Sequence, residues 1–329
     1  MDVAGKKVLV TGAGGFIGSH LAAVLVEAGA DVVALVHYNS RGDWGNLRFL
    51  SAEQLDAIEV VAGDVRDAGC VAEIVADCAC VFHLAALIGI PYSYHAPRSY
   101  VATNVEGTLN VLEAVRRSGA RMVHTSTSEV YGTAVTEPID EAHPLQGQSP
   151  YSATKIGADK LVESYHRSFD LPLITLRPFN TYGPRQSARA VIPTIISQLL
   201  AGRKRVELGS LDPRRDLTYV EDTARAFLAV AQCDAAIGRT INVGSGKTIA
   251  IGDFARMLVE MVAPDTEIVS TDDRKRPEQS EVMKLIADAS QAAELAGWRP
   301  AVRLEEGLRR TIEFIREHLD LYRPDAYTV

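Results

Sequence analysis

The sequence of 329 residues contains only four cysteines, and their positions exclude the familiar cysteine-based sites. Cys70, Cys78, Cys80 and Cys233 form neither the paired Cys-x-x-Cys spacing that holds zinc nor the framework of a disulfide-stapled domain. We therefore interpret them as reduced residues of the hydrophobic core, and we expect no metal site.

Long apolar runs and an excess of basic charge are also missing. No stretch reaches the roughly 18 apolar residues of a membrane-spanning helix, and residues 1–7 lead straight into a strand without a secretion signal. The 34 basic and 42 acidic residues give a net charge of −8, which argues against a nucleic-acid-binding protein or one held on an anionic membrane. We expect a cytoplasmic protein with neither of these partners.

The composition that is present fits a large globular protein. With 47% hydrophobic and 23% charged residues, the chain is neither disordered nor membrane-embedded. Its length allows one large domain or two intergrown ones. Because no internal repeat or low-complexity linker interrupts the chain, we favour intergrown domains.

Short apolar strands alternate with helices along the first half of the chain. Continuous apolar strands in such an alternation are typical of a parallel sheet covered on both faces. The sequence therefore predicts an α/β fold, a Rossmann-type doubly wound parallel sheet of six or seven strands. The predicted strands are 6–12, 31–36, 58–64, 80–86, 120–128 and 171–178, and the predicted helices are 17–29, 104–118 and 151–169.

The character of the chain changes after Pro178, where prolines and arginines become frequent. Residues 220–232 and 239–246 then resemble one more helix and strand that return to the sheet. We predict a dinucleotide-binding domain of residues 1–176, to which 218–245 return. A smaller, intergrown substrate-binding domain is predicted from residues 177–217 and 246–329.

Three glycines lie in and just after the turn between the first strand and the first helix. Gly12, Gly15 and Gly18 occur in GAGGFIG, where glycine lets the backbone turn tightly and approach a pyrophosphate at the start of a helix. Glycine-rich turns also occur without a ligand, but the strand and helix context favours a dinucleotide site.

The end of the second strand leaves the choice between NAD and NADP open. In place of the acidic residue that binds the ribose of NAD, the sequence has Val36, His37 and Tyr38, with Arg41 close by. We expect NAD, with NADP as the alternative. Asp64 follows the third strand and is either a partner of the adenine amino group or a turn-forming residue.

A tyrosine and a lysine lie four residues apart at the start of a predicted helix. Tyr151 and Lys155 share one helix face, and an ammonium beside a phenol lowers the phenol's pKa, so that tyrosine can act as a general base. Such pairs are common on helix surfaces. Together with the glycine turn and the segment TSTSEVYG (125–132), the pair becomes specific.

With these motifs the sequence resembles the extended short-chain dehydrogenase/reductase family that acts on nucleotide sugars. The resemblance covers nearly the whole chain, at 12–18, 83–86, 125–132, 151–155, 177–184, 215–226 and 295–300. Other segments most resemble the 4,6-dehydratases that act on N-acetylglucosamine nucleotides in legionaminic acid biosynthesis. These segments are 38–45, 83–100, 140–160 and 177–196.

The resemblance implies roles for individual residues. Tyr151, supported by Lys155, would take the proton of the sugar 4-hydroxyl while Thr127 holds the same oxygen. Glu129 would then remove the proton on carbon 5, and Ser128 would stand beside it. The implied cofactor-binding residues are Gly12, Gly15, Phe16, Ile17, Gly18, Asp64, Val65, Leu84, Ala85, Ala86, Tyr151 and Lys155.

Substrate binding is implied for the later part of the chain. Asn180 resembles the residue that contacts the sugar diphosphate, and Arg215 and Arg276 match arginines that clamp it. The segment 177–217 carries eight basic and three acidic residues, a local balance of +5 that suits a diphosphate ligand. The resemblance also implies a homodimer in which helices near 104–118 and 151–168 pair as a four-helix bundle.

One position departs from the glucose dehydratases of the family. They carry Thr-Asp-Glu where this chain has Thr127, Ser128 and Glu129; mannose-type dehydratases and glucuronate decarboxylases share the Ser-Glu pair. We expect a 4,6-dehydratase that acts on UDP- or GDP-N-acetylglucosamine. The alternatives are a 4-epimerase, a UDP-glucuronate decarboxylase, and a non-enzymatic dinucleotide sensor, which would have no need of Tyr151 and Lys155.

Overall fold

Seven parallel strands form the central sheet of the protein, whose computed structural model describes residues 1–275 and 277–324. Including those of two smaller sheets, the strands of the described residues are β1 (Lys7–Thr11), β2 (Asp31–His37), β3 (Ile58–Gly63), β4 (Cys80–His83), β5 (Arg121–Thr125), β6 (Leu173–Pro178), β7 (Asn180–Tyr182), β8 (Arg205–Leu208), β9 (Arg214–Tyr219), β10 (Thr240–Val243), β11 (Thr248–Ala250) and β12 (Glu267–Ser270). The order in the central sheet is β3-β2-β1-β4-β5-β6-β10. This order confirms the predicted Rossmann-type fold.

Helices cover both faces of this sheet. The helices of the described residues are α1 (Phe16–Glu27), α2 (Ala52–Asp56), α3 (Ala68–Val75), α4 (Ile90–His95), α5 (Pro97–Tyr100), α6 (Gly107–Ser118), α7 (Pro150–Phe169), α8 (Val191–Leu200), α9 (Val220–Gln232), α10 (Ile251–Val262), α11 (Ser290–Ala296) and α12 (Leu304–Glu317), of which α8, α10 and α12 pack elsewhere. The predicted helix 104–118 begins differently, because a π-helical turn (Val101–Glu106) joins α5 to α6. No helix in the described ranges is both long and apolar enough to cross a bilayer.

Successive side chains of β1 point to opposite faces of the sheet, and this explains why the strand has a continuous apolar sequence. Val8 and Val10 pack in the core shared with α1 and α9, whereas Leu9 points to the opposite face, toward the core that includes α3 and α6. Both faces of β1 are therefore buried, and both require apolar side chains.

The cysteines follow the predicted interpretation. All four are free thiols; Cys78 and Cys80 are buried, and Cys70 and Cys233 are partly buried. Burial raises the pKa of Cys78 to about 11 and that of Cys80 to about 12, so these thiols are unreactive near neutral pH. In the described part of the chain, no group of three or more side chains could hold a metal ion.

A second set of elements packs beside the carboxyl ends of the central strands. It contains a three-stranded sheet in the order β11-β9-β7, the parallel pair β12-β8, and helices α8, α10 and α12 around a separate hydrophobic core. The division into a dinucleotide-binding domain and an intergrown second domain stays a prediction.

The carboxyl ends of β1, β4, β5 and β6 meet at one edge of the central sheet. The segments after these strands carry the glycine turn, the segment 84–86, the residues 127–129 and Asn180, which begins β7. In open parallel sheets, ligands bind outside this edge. The topology therefore assembles most of the predicted site from segments that are far apart in the sequence.

Candidate active site

The glycine turn after β1 is packed so closely that side chains are excluded. Gly12 has a φ of +72°, and a Cβ atom at this residue would lie 2.8 Å from the backbone nitrogen of Ala85. A Cβ atom at Gly18 would overlap the carbonyl oxygen of Gly12. The same carbonyl accepts a hydrogen bond of 2.9 Å from the backbone N–H of Gly15. Glycine is needed here for space and, at Gly12, also for backbone conformation.

The first turn of α1 offers backbone donors beside this turn. Gly15 precedes the helix without a side-chain cap, and the N–H groups of Phe16, Ile17 and Gly18 have no acceptor inside the helix. Unpaired N–H groups and the positive end of the helix dipole together favour an anionic ligand. The residues predicted to hold the pyrophosphate of a dinucleotide therefore fit that group.

A threonine at the end of β1 joins the glycine turn to the segment after β4. The side-chain oxygen of Thr11 accepts hydrogen bonds of 3.1 Å from the backbone N–H groups of both Leu84 and Ala85. Its Oγ1 also lies 2.8 Å from Nδ1 of His83. These contacts bring the predicted segment 84–86 against Gly12, so the structure unites two parts of the expected cofactor site.

The predicted adenine partner Asp64 is engaged within the protein. Its carboxylate accepts hydrogen bonds of 3.0 Å from Nε of Arg66, and its Oδ2 lies 3.4 Å from Nε2 of His37. The hydrogen bond from Arg66 lowers the pKa of Asp64. The next residue, Val65, is buried, and its carbonyl accepts a hydrogen bond from Asn110. An adenine-binding role for Asp64 stays a prediction.

Tyr151 and Thr127 meet where α7 begins beside the end of β5. Ser149 caps the helix, since its Oγ accepts a hydrogen bond of 3.1 Å from the backbone N–H of Ser152. This start places Tyr151 in the first turn of α7, where the side chain of Thr127 acts to lower the pKa of the phenol. The oxygen of Thr127 accepts a hydrogen bond of 3.2 Å from the backbone N–H of Glu129. Burial raises the pKa of Tyr151, and Thr127 opposes that rise.

Lys155 lies one helical turn after Tyr151 and is buried. Its ammonium donates a hydrogen bond of 2.5 Å to the backbone carbonyl of Thr125, and burial lowers its pKa to about 8. The effect of Lys155 on the pKa of Tyr151 stays a prediction. The loss of hydration of the phenolate outweighs the stabilising contacts, so the pKa of Tyr151 is raised.

A cavity of about 290 Å³ is lined by one predicted catalytic residue and two predicted substrate-binding residues. Glu129, Asn180 and Arg215 all line it, although they come from three separate segments. Oδ1 of Asn180 is buried without a hydrogen-bond partner among the described residues, as expected of a group that awaits a ligand. Arg215 pairs with Glu281 at 3.1 Å. Arg276 lies outside the described residues.

The structure adds cavity residues that the sequence analysis missed. Gln186, Arg189 and Arg274 also line the cavity, and Oε1 of Gln186 is a second buried acceptor without a partner in the described chain. The excess of basic residues in 177–217 predicted a ligand-binding region here, but no sequence pattern indicated Gln186. The catalytic candidate Ser128 is buried next to Glu129 and does not line the cavity.

A second cavity has a volume of about 350 Å³. It opens between α7 and the edge strand β10, and its lining includes Asp159, His166, Arg177 and Arg239. None of the predicted catalytic residues lines it. We therefore place the candidate active site at the smaller cavity, which Glu129, Asn180 and Arg215 line, although Tyr151, Thr127 and Lys155 are not among its lining residues.

Comparisons with known proteins agree with this geometry. Residues 9–311 match the family described as GDP-mannose 4,6 dehydratase. A UDP-glucose 4-epimerase of Mycolicibacterium smegmatis is 36% identical over 319 residues, which cover 94% of this chain and 98% of the relative. A dTDP-glucose 4,6-dehydratase of Actinoplanes sp. is 33% identical over 317 residues, with coverage of 94% and 98%.

A solved structure shows the same architecture. The dTDP-glucose 4,6-dehydratase of Streptomyces venezuelae, crystallised with NAD bound, superposes with a TM-score of 0.87 at 29% identity. The superposition covers 97% of this chain and 99% of the other.

Substitution of Gly18 by alanine tests the glycine turn. The added methyl group would overlap the carbonyl of Gly12, so the turn must shift, and NAD should bind more than about tenfold more weakly. Isothermal titration calorimetry with NAD measures the effect. Gly157→Ala is the matched control, because a Cβ atom there would meet only Val105, at 3.7 Å. Equal NAD affinity of Gly18→Ala and the unaltered protein would exclude this turn as the binding site.

Proposed function

The chain belongs to the family of GDP-mannose 4,6-dehydratase and related extended short-chain dehydrogenases that act on nucleotide sugars, and on that premise we propose that it is a nucleotide-sugar 4,6-dehydratase. The observation that carries this proposal is the position of Glu129. Its carboxylate lines the substrate cavity, and its charge acts on Tyr151. A 4,6-dehydratase needs such a second acid–base group beside the tyrosine, whereas a 4-epimerase does not.

The cofactor that fits the glycine turn is NAD. Phe16, Ile17 and Gly18 would hold its pyrophosphate, and the segment 84–86 would lie beside it. The NAD bound in the Streptomyces venezuelae relative supports the predicted cofactor. When bound, NAD supplies a hydride acceptor that is regenerated within each turnover, so it is not consumed.

Oxidation at carbon 4 depends on Tyr151, Thr127 and Lys155. In the proposed reaction the phenolic oxygen of Tyr151 takes the proton of the sugar 4-hydroxyl, and Oγ1 of Thr127 holds the same sugar oxygen. Because burial raises the pKa of Tyr151, its phenolate needs stabilisation by Thr127 and by a charged Lys155 nearby. The product of this step is a 4-ketone.

Removal of water depends on Glu129. The 4-ketone makes the proton on carbon 5 acidic, and the carboxylate of Glu129 takes that proton and gives it to the 6-hydroxyl, which leaves as water. The hydride that was removed from carbon 4 then adds to carbon 6, and a proton returns to carbon 5 to balance the one taken up by Tyr151. The sugar loses one water in total and becomes a 4-keto-6-deoxy sugar. Ser128, which is buried, can assist the leaving hydroxyl only by relaying a proton.

The proposed substrate is UDP- or GDP-N-acetylglucosamine. The segments 38–45, 83–100, 140–160 and 177–196 support the sugar by their resemblance to dehydratases of N-acetylglucosamine nucleotides. Asn180 and Arg215 line the cavity and are proposed to bind the diphosphate. A guanidinium fork matches phosphate oxygens, and the unpartnered Oδ1 of Asn180 can accept a hydrogen bond from a sugar hydroxyl.

A 4-epimerase is the second candidate. The Mycolicibacterium smegmatis relative is an epimerase and, at 36% identity, is slightly more similar to this chain than the Actinoplanes sp. dehydratase, at 33%. Epimerisation would use Tyr151, Thr127 and Lys155 in the same way and would leave Glu129 without a role in the chemistry. A UDP-glucuronate decarboxylase would also share the Ser128–Glu129 pair.

Incubation with a panel of UDP, GDP and dTDP sugars, analysed by NMR, tests the proposal. We expect a 4-keto-6-deoxy product from an N-acetylglucosamine nucleotide, and no product from Tyr151→Phe, which lacks the acid–base hydroxyl. Inversion at carbon 4 with an intact hydroxymethyl group would identify an epimerase instead. A pentose with released carbon dioxide would identify a decarboxylase. Absence of turnover with bound NAD would favour a dinucleotide sensor.

Substitution of Glu129 by glutamine separates the two half-reactions. The amide cannot accept the carbon 5 proton, so product formation should fall at least about 100-fold while oxidation at carbon 4 continues. The near-ultraviolet absorbance of reduced NAD, followed in a single turnover, measures the oxidation. The matched control is Glu163→Gln on the exposed side of α7, which should keep the unaltered rate. A normal rate for Glu129→Gln would show that another group is the base.

The predicted homodimer through α6 and α7 remains a proposal. Val101 and Phe169, near the two helices, are 44% and 49% exposed, which leaves apolar surface for a second copy. Light scattering at micromolar concentration should give twice the chain mass of 35.6 kDa. A mass of one chain across a dilution series would contradict the proposal.

A further inference from the structure

A buried carboxylate on α7 joins three elements behind the candidate active site. Asp159 accepts hydrogen bonds of 2.7 Å from Oγ of Ser126 and of 2.8 Å from Nη2 of Arg177. Its other oxygen lies 3.2 Å from Nε2 of His124. Burial alone raises the pKa of Asp159, but the contacts with His124 and Arg177 outweigh burial and bring it down to about 2. Asp159 is therefore an anion throughout the neutral range.

The same helix binds three consecutive residues at the end of β5. Lys155 donates to the carbonyl of Thr125, while Asp159, one turn later on the same face, binds the side chains of His124 and Ser126. The next residue is Thr127, which contacts Tyr151. Lys155 and Asp159 thus fix the end of β5 relative to the first turn of α7.

The carboxylate of Asp159 balances positive charges that are buried near Lys155. Lys155 and Arg177 are both buried cations, and His83 and His124 are the nearby titratable groups from β4 and β5. Burial lowers the pKa of His124 to about 4 and that of His83 well below its usual value, so both rings are neutral. Asp159 is the carboxylate whose charge supports the protonated form of Lys155.

Arg177 extends the connection to the turn that carries Glu129. Its Nη1 donates a hydrogen bond of 2.9 Å to the phenolic oxygen of Tyr131, while Nη2 holds Asp159. Tyr131 ends the short helical turn Ser128–Tyr131. One buried ion pair therefore links the helix of Tyr151 to the turn of Glu129.

We propose that Asp159 is a positioning residue for the reaction: its buried carboxylate keeps Lys155 charged and holds the Lys155 end of α7 against the strand end that presents Thr127. The proposal rests on the proposed role of Lys155. Asp159 is proposed to contact neither substrate nor cofactor. It affects the reaction by keeping Lys155 charged and by fixing the positions of Thr127 and Tyr151.

The decisive measurement is the titration of Lys155 itself, which does not require turnover. The protein is labelled with carbon-13 at lysine Cε, and the Lys155 signal is assigned from its loss in Lys155→Arg. In the unaltered protein the midpoint should lie near pH 8. In Asp159→Asn, which keeps the shape but removes the charge, the midpoint should fall by about 1 pH unit or more. A midpoint within about 0.2 units of the unaltered protein would overturn the proposal.

Asp222→Asn is the matched control. Asp222 is also a buried carboxylate, but its Oδ2 accepts hydrogen bonds from the backbone N–H groups of Ala301 and Val302. Its loss should reduce stability and leave the Lys155 midpoint unchanged. A similar fall of the midpoint in both variants would show a general structural effect and would also overturn the proposal.

A conservative variant and a fallback variant complete the test. Asp159→Glu keeps the charge and should restore the Lys155 midpoint to within about 0.3 units of the unaltered protein. If Asp159→Asn does not fold, Asp159→Ser removes the charge with a smaller side chain and should give the same fall. An unchanged midpoint in Asp159→Ser would count against the proposal in the same way.

The pH profile of activity gives a second readout once a substrate is known. With its midpoint near pH 7, Lys155 is mostly neutral at pH 7.5, so Asp159→Asn should lose at least about threefold in kcat there and recover toward pH 6. If no variant turns over any nucleotide sugar, the proposed function fails while the Lys155 titration still decides the role of Asp159. A loss of kcat that is equal at all pH values would contradict the proposed role.

Discussion

The docking of α7 against the carboxyl end of β5 is the contact on which the candidate active site depends. Lys155 and Asp159 bind three successive residues of that strand end, and Tyr151 at the start of the helix reaches the next residue, Thr127. Because these groups are buried, each polar contact is made in a medium that screens charge poorly. A small shift of the helix would separate the tyrosine from the threonine with which it must share the substrate oxygen.

Burial changes the protonation equilibria of the titratable groups in this site. Burial disfavours the charged forms of Tyr151 and Lys155, so the pKa of the phenol rises and that of the amine falls. Near neutral pH the free protein therefore holds a neutral phenol beside an ammonium that is close to its own titration. The surrounding contacts, among them Asp159 and Thr127, decide whether the pair can do acid–base chemistry. The carboxylate of Glu129, at the cavity wall, adds the second proton acceptor that dehydration requires.

The cofactor and substrate regions use different means of recognition. At the glycine turn, the ligand is expected to meet backbone N–H groups, and close packing leaves no room for a Cβ atom at Gly12 or Gly18. In the cavity, side chains converge from separate segments, and the amide oxygens of Asn180 and Gln186 lack partners within the described residues. Backbone recognition suits a part that every such dinucleotide shares, whereas side chains can change to suit a particular sugar.

The sequence by itself determined the parts of this protein that depend on local order along the chain. Alternating apolar strands and helices predicted the doubly wound sheet, and the spacing of the glycines and of Tyr151 and Lys155 predicted the two main motifs. Only the tertiary structure decided the direction of the Tyr151 pKa, the partners of Asp159 and the unpartnered oxygen of Gln186. These properties depend on burial and on neighbours that lie far away in sequence. The spacing of residues along the sequence describes one segment at a time, so it contains no information on burial or on distant neighbours. A pKa or a hydrogen bond depends on all the groups that surround the residue in the folded protein.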